Sequence, residues 1–244
     1  GETKSSILLP GGLQADLRLV ERESFGAALQ YFTGSQAHNV AVRHIGRRQG
    51  LKINEYGVFT LEGRVAGETE ESVYRALGLA WIPPELREES GEIEAAREGR
   101  LPSLVELGDI RGDLHSHTAE TDGRDSLADM AVAARRRGLE YLAVTDHSQA
   151  LRMVDGLDER RLMAQMDAID RINEGLQGFR LLKGIEVDIL EDGRLDLPDS
   201  VLQRLDIVVG SIHSRFQLTL EQQTARILRA MDHRCFSILA HPSG

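Results

Sequence analysis

Residues 111–123 read RGDLHSHTAETDG, and the fold of the second half of the chain is read outward from this stretch. It opens on a strand-like run, 112–117, in which Asp113, His115 and His117 are all metal-ligand residue types. Residues i and i+2 of a strand point to the same side, so both imidazoles can reach one ion. Downstream, apolar strand-like runs at 141–145, 179–189, 207–213 and 236–241 alternate with helical patterns at 126–137, near 158–175, near 199–204 and near 219–231. Ser126 with Asp129 three residues on resembles a capping box, with Asp in place of Glu or Gln. Five strand–helix alternations predict an α/β fold, a parallel sheet or barrel.

Each of the five strands ends in a ligand type. The first ends in Asp113, His115 and His117, and the second runs into Asp146 and His147. The third carries Glu186, the fourth ends at His213 and the fifth at His241. In parallel α/β folds the carboxyl ends of the strands form one face, and active sites sit there. A single strand-end histidine is more often a hydrogen-bonded structural residue, and His-x-His alone is a weak signal. Here, however, six of the eight histidines fall in this half and five lie at strand ends, which predicts one metal cluster. The donors mix imidazole nitrogen with carboxylate oxygen and lack thiolate, which suits Zn²⁺, Mn²⁺ or Fe²⁺ more than Ca²⁺. A carboxylate such as Glu186 can bridge two ions. Two ions roughly 3.5–4 Å apart can stabilise both oxygens of an in-line displacement at phosphorus. The predicted reaction class is hydrolysis of a phosphate ester.

The chain's 244 residues, 41% of them hydrophobic, suffice for one large domain or two modest ones. No stretch approaches the roughly 18 apolar residues a membrane helix needs. GETKSSILLPGG has no apolar region after a basic start, so it does not read as a signal peptide. The one cysteine, Cys235, excludes an internal disulfide and a cysteine-rich zinc site. These features predict a cytoplasmic protein with no membrane partner. The net charge of −10 argues against a nucleic-acid binder. Against that, residues 43–52 (RHIGRRQGLK) are locally basic and can contact phosphate, or equally form a solvated helix face.

In the first half, residues 13–20 alternate as a half-buried strand and 24–32 read as a helix capped by Ser24. A TGS turn follows, then a helix over 35–49 stopped by Gly50. Residues 51–61 look like short strands and 72–77 like a helix. WIPPELREESGEIEAAREGRLP (81–102) is rich in Pro and Glu and suits a domain connection. The boundary falls near 100–110.

In this order, RGDLHSHTAETDG, AVTDHS, GIEVDI, VVGSIHS and ILAHPSG resemble the motifs of the polymerase and histidinol phosphatase (PHP) domain. The resemblance implies a distorted (β/α)7 barrel with up to three ions, Mn²⁺ or Zn²⁺. It assigns His115, His117 and Glu186 to one ion, Glu186, His213 and His241 to a second, and Asp122 and His147 to a third. Glu186 would thus be both bridging ligand and catalytic residue. The family's last strand carries an Asp-x-His type motif and this chain stops at HPSG, so the expectation is an incomplete barrel lacking one ligand of the first ion and one of the third.

YFTGSQAHNVAVRHIGRRQGLKINEYGVF (31–59) resembles the palm-to-thumb segment of family X polymerases, the DNA polymerase beta group, with the match covering roughly residues 1–85. It puts Asp16 at the place of the third catalytic carboxylate. It puts Tyr31, Phe32 and Gly34 against the incoming nucleotide's sugar, Asn39 and Arg43 at minor-groove and template contacts, and Glu55 with Tyr56 at a pair that positions the thumb. It also implies a cis Gly34–Ser35 peptide. Without the family, Tyr31 and Phe32 read as helix-end core aromatics and Asp16 as a solvent-facing carboxylate. The D-x-D motif that supplies the other two carboxylates is absent here. The chain by itself is therefore expected to show no templated incorporation on a gapped duplex.

The expected organisation is a small α+β palm-end and thumb over 1–100, a linker over 101–110 and the first part of a PHP domain over 111–244. Together the halves resemble a bacterial-type family X DNA polymerase. In the full protein this implies gap-filling synthesis from deoxynucleoside triphosphates with two Mg²⁺ or Mn²⁺ ions. The DNA partner would be a gapped or 3′-end duplex, and the PHP domain would supply 3′–5′ exonuclease and abasic-site processing for base excision repair. Three other readings stay open: a small-molecule phosphatase of the histidinol phosphate type, a non-catalytic PHP scaffold, and a fragment that only binds DNA.

Overall fold

The computed structural model describes residues 3–242; Gly1, Glu2 and the Ser243 and Gly244 of the ILAHPSG run lie outside the described residues. The chain divides into two compact units, Gly1–Leu104 and Val105–Gly244.

The first unit begins with an antiparallel pair, β1 (Lys4–Leu8) and β2 (Gln14–Arg18). A 3₁₀ turn at Arg22–Ser24 leads into α1 (Phe25–Thr33), followed by α2 (Gln36–Arg48). The three-stranded antiparallel sheet β3 (Lys52–Asn54), β4 (Gly57–Thr60) and β5 (Gly63–Ala66) comes next, then α3 (Glu70–Ala76) and α4 (Glu92–Arg97). The Gly34–Ser35 peptide is cis. The Ser35 hydroxyl accepts from the His38 N–H at 3.3 Å and starts α2, and Gly50, at φ +74°, follows its end. Ser24 does not cap α1 with its side chain. The 3₁₀ turn runs straight into the helix, and the Ser24 hydroxyl instead donates to the Tyr56 carbonyl at 2.9 Å.

Val42, Val58, Val73, Tyr74 and Ile82 form the core of this unit. Residues 81–102 are part of it, not an open connection. Ile82 is fully buried, Ile93 and Ala96 join the same cluster, and Arg87 and Glu92 are buried polar members. Composition misleads here because the segment's few aliphatic residues face inward.

α1 and the start of α3 touch through backbone. A Cβ on Gly26 would lie 2.0 Å from the Thr69 carbonyl carbon and 2.2 Å from its Cα. Thr69 cannot yield easily, because its hydroxyl and Ser72 form the reciprocal cap of α3. Gly26→Ala is therefore expected to destabilise this unit by about 3 kcal/mol, at the upper end for overpacking. Urea unfolding measures it, and a neutral substitution would contradict the close approach.

The second unit is an α/β half-barrel. Its elements are β6 (Gly112–Asp113), α5 (Leu127–Arg136), β7 (Tyr141–Val144), α6 (Glu159–Glu174), β8 (Arg180–Asp188), α7 (Asp199–Leu202), β9 (Ile207–Ser211), α8 (Leu220–Met231) and β10 (Ile238–Leu239). The sheet order is β10-β9-β8-β7-β6 with every pair parallel. Each crossover thus reaches the next neighbour, and all carboxyl ends lie on one side. Strand alternation sorts the faces. Leu142 and Val144 pack with Ala131, Ala134 and Ile169 of the helices, while Ala143 clusters with Ile207, Val209 and Ala240 on the other face. β8 is central and buried from Gly184 to Asp188, as expected where both faces are covered.

β6 and β10 are shorter than the runs at 112–117 and 236–241 predict. Each lies at an end of the sheet with one neighbour. After Asp113 the chain turns, the Asp113 carboxylate accepting the His115 N–H at 3.0 Å. At α5 the Ser126 hydroxyl accepts the Asp129 N–H at 3.2 Å, and its own proton goes to the Asp129 carboxylate at 2.6 Å. Asp is one methylene shorter than Glu and closes the cap on the hydroxyl, not on the backbone. Among the described residues no helix is long and apolar enough to cross a membrane.

Candidate metal centre

The seven residues read as ligands come together at the carboxyl ends of the parallel strands. Glu186 on β8, 1% exposed, stands at the centre. Its Oε2 lies 3.1 Å from His115 Nε2, 3.3 Å from His117 Nε2 and 3.2 Å from His147 Nδ1. Its Oε1 lies 3.0 Å from His241 Nε2 and 3.4 Å from His213 Nε2. To one side, Asp122 places Oδ1 3.3 Å from His117 Nδ1 and Oδ2 3.4 Å from His147 Nε2. His115 and His117 sit in the turn after β6, not within a strand, and still both reach Glu186. His213 and His241 each lie two residues past β9 and β10.

Among the described residues, three groups could each hold a cation, with one ligand atom per residue and all atoms within 4.8 Å: His115, His117 and Glu186; His117, Asp122 and His147; His147, Glu186 and His213. The first set coincides with the grouping the family resemblance implies. In the third, His147 stands where the resemblance puts His241, and His241 reaches the cluster through Glu186 Oε1. His117 and His147 each belong to two groups.

Burial alone would raise the Glu186 carboxyl, but contacts from His115, His213, His147 and His241 together hold it well below the usual carboxylate range. Glu186 pushes His115 up, whereas burial and then the neighbouring His147 push His117 down. Two buried ring nitrogens, His117 Nδ1 and His147 Nδ1, make no hydrogen bond despite carboxylate oxygens 3.3 and 3.2 Å away. A buried ring nitrogen without a partner is costly, and a cation accepting its lone pair removes that cost. The residues thus fit a divalent ion with N/O preference such as Zn²⁺ or Mn²⁺.

Asp188 was not read as a site residue, although its E-x-D spacing in GIEVDI puts it on the Glu186 face of β8. It is buried, with Oδ1 3.4 Å from His213 Nδ1, the arrangement in which a carboxylate orients a ligand imidazole. Asp113 and Asp146, strand-end carboxylates of ligand type, do not enter the cluster. Asp113 accepts a backbone N–H, and Asp146 is taken up by Thr118, Thr121 and Gln165.

Asp188 first, and Glu186 second, push His213 up to about 9 from an ordinary 6.5. With ions stripped, a raised folded-state pKa contributes stability that is complete below 6.5 and lost as pH climbs through about 9. The melting temperature of this unit in chelator is expected to fall across that window. The fall should shrink in Asp188→Asn; a flat wild-type profile would contradict the contact.

In the first unit the predicted residues lie as follows. Asp16 is exposed on β2, bonded to Ser6 Oγ at 2.5 Å, Lys4 Nζ at 2.9 Å and Gln14 Nε2 at 2.9 Å, which hold its carboxyl below the usual range. Tyr31 and Phe32 are not core aromatics. They meet edge to face at 5.1 Å, Phe32 is 48% exposed, and the guanidinium groups of Arg18 and Arg43 lie over Phe32 and Tyr31 at 4.6 and 5.9 Å. Gly34, at φ +81°, follows α1. The buried Asn39 amide is used internally, accepting from Gln30 Nε2 at 2.6 Å and donating to the Tyr31 carbonyl at 2.7 Å. Arg43 Nε donates to the Asn39 carbonyl at 3.2 Å. Glu55 is half-buried and Tyr56 exposed in the turn between β3 and β4.

Residues 113–239 match the PHP domain family, and residues 28–88 match the DNA polymerase beta thumb. The whole chain is similar to a DNA polymerase/3′-5′ exonuclease PolX of Bacillus subtilis, 42% identical over 251 residues, which is 100% of this chain and 43% of that protein. A probable phosphatase of Acetivibrio thermocellus is 33% identical over 134 residues, 53% of each chain. Among solved structures, a Leishmania infantum polymerase beta ternary complex aligns at 27% identity over 36% of this chain and 45% of that one, with a TM-score of 0.33. The chain spans about half the length of the curated relatives it matches.

Proposed function

The chain belongs to the PHP domain family, joined to a DNA polymerase beta thumb as in bacterial-type family X polymerases, and from that premise we propose that it is part of a DNA-repair polymerase whose second half hydrolyses phosphodiester or 3′-terminal phosphate groups of DNA. The observation that carries this reading is the two-sided use of Glu186, whose oxygens face two separate sets of imidazoles. His115, His117 and Glu186 would hold one ion; Glu186 and His213, with His147 or His241, a second; and His117, Asp122 and His147 a third. A divalent ion there supplies Lewis acidity at a phosphoryl oxygen and lowers the pKa of a water. The protein's part is placement. Glu186 anchors both sides from a buried strand, and Asp188 holds the His213 ring. Asp122 and His241 are the most exposed of the seven, at 44% and 49% side-chain exposure, and a DNA end would approach the centre past them.

For the first half the reading assigns Asp16 as one catalytic carboxylate of the full protein's Mg²⁺ or Mn²⁺ site. Tyr31, Phe32 and Gly34 would face the nucleotide sugar, Asn39 and Arg43 the DNA, and Glu55 with Tyr56 would set the thumb. The same reading would give the polymerase-derived part residues 1–100, a linker 101–110 and the PHP part 111–244.

Likeness to the probable phosphatase favours a second reading, a small-molecule phosphatase. Hydrolysis of a 3′-recessed duplex and of p-nitrophenyl phosphate, both with Mn²⁺, separates the two. The duplex is expected to be the better substrate by kcat/KM; the reverse order would favour the small-molecule reading.

A further inference from the structure

Asp146 is fully buried two residues past β7, immediately before His147. Its Oδ1 accepts the Thr118 N–H at 2.8 Å and the Thr121 hydroxyl at 2.6 Å. Its Oδ2 accepts the Thr118 hydroxyl at 2.7 Å and Gln165 Nε2 from α6 at 2.6 Å. Four donors fill the acceptor sites of one carboxylate, so this side chain has no lone pair left to offer an ion. Its backbone carbonyl accepts the Glu186 N–H at 3.0 Å.

The partners are not scattered. Thr118 follows His117, and Thr121 precedes Asp122. The turn between them closes on Thr118, whose carbonyl accepts the Thr121 and Gly123 N–H groups at 3.2 and 2.9 Å and whose hydroxyl accepts the Glu120 N–H at 3.1 Å. The turn has no slack, since a Cβ on Gly123 would lie 2.3 Å from the His117 carbonyl oxygen. The three residues of one candidate ion group, His117, Asp122 and His147, are therefore each one residue removed from Asp146 or from a group bonded to it.

We propose that Asp146 is the positioning residue of the His117, Asp122 and His147 ion site, acting through Thr118 and Thr121, and not a ligand. The inference rests on the metal-centre reading. A carboxylate suits the place because it accepts from all four donors and presents no hydrogen of its own. An apolar replacement leaves the Thr118 N–H and Gln165 amide buried without acceptors, and frees the turn that carries Asp122.

The test is Mn²⁺ stoichiometry and affinity on the full 244-residue chain, for wild type, Asp146→Ala and Thr121→Val, together with each protein's melting temperature in chelator. Thr121→Val is close in shape and removes one donor. Loss of an outer partner of a metal ligand lowers affinity by about 10–100-fold. Asp146→Ala is expected at the upper end for one ion, with the remaining ions retained. Thr121→Val is expected to weaken the same ion by about 10-fold with its metal-free melting temperature unchanged. If Asp146→Ala does not fold, Thr121→Val decides alone. Variants that melt lower but bind every ion as tightly as wild type overturn the proposal, since that is the result of a purely structural role. A wild type that binds no Mn²⁺ removes the metal-centre reading, and the inference with it.

Discussion

Glu186→Gln is expected to release two ions from the centre and to take hydrolysis with them. The substitution keeps shape and volume, so the buried end of β8 need not repack. What changes is charge and donor pattern. The carboxylate gives one oxygen to His115, His117 and His147 and the other to His213 and His241. An amide keeps one oxygen and turns N–H groups on the other set, where two divalent ions need an anion. Water cannot substitute easily, because the side chain is 2% exposed. The family resemblance gives His147 to one ion, but the geometry shares it between two groups. His241→Ala is therefore the sharper control: among the described residues His241 belongs to none of the three groups, and its loss should release at most one ion. Stability follows occupancy, since an ion that binds only the folded state adds roughly 2.7 kcal/mol at 100 times its dissociation constant. Mass spectrometry after dialysis against Mn²⁺, with thermal melts, reads both effects. If Glu186→Gln retains as many ions as His241→Ala, the bridging assignment is wrong.

The centre was legible in the sequence because a parallel α/β topology delivers strand ends to one face whatever the details of the strands. Five histidines at four such ends, with Glu186 on the remaining strand, had to converge, and they do so although His115 and His117 sit in a turn and β10 is only two residues long. The outer carboxylates were harder. Asp188 follows the strand period and could have been found from its i+2 spacing to Glu186. The bonds of Asp146 run to Thr118, Thr121 and Gln165, far off in sequence and on other elements, so no local pattern announces them. In the first unit β1 escaped because its sequence, KSSIL, does not alternate apolar and polar residues and so gives no period to read. Residues 81–102 failed for the opposite reason. Most of their polar residues are solvated, but Arg87 and Glu92 enter the interior with partners supplied by other elements.

Those partners underlie the largest stability effect expected in the first unit. Arg87 is fully buried; it donates through Nη1 to Glu70 at 2.7 Å and through Nε to the Ile82 carbonyl at 2.9 Å, and lies over the Tyr74 ring at 5.4 Å. Its Nη2 has no partner among the described residues. Glu70 also accepts the Trp81 indole N–H at 3.1 Å. Glu70→Ala removes the only carboxylate bonded to this cation among the described residues, and leaves the charge where water cannot reach it. Breaking a buried pair in this way costs about 3–5 kcal/mol, whereas replacing both partners by apolar groups can be neutral. Glu70→Ala is therefore expected to lower stability by that amount. The double variant Glu70→Ala/Arg87→Met should recover a good part of it, because the orphaned charge goes with the arginine. Urea unfolding of both singles and the double closes the cycle and isolates the coupling. The effect reaches the proposed nucleotide-facing segment as well. The Arg87 carbonyl accepts the Ser35 N–H at 3.0 Å, so the same residue ties the 81–87 segment to the junction after Tyr31, Phe32 and Gly34. A Glu70→Ala protein that unfolds within about 1 kcal/mol of wild type would mean that packing of Ile82 and Ile93, not the ion pair, holds this segment in place.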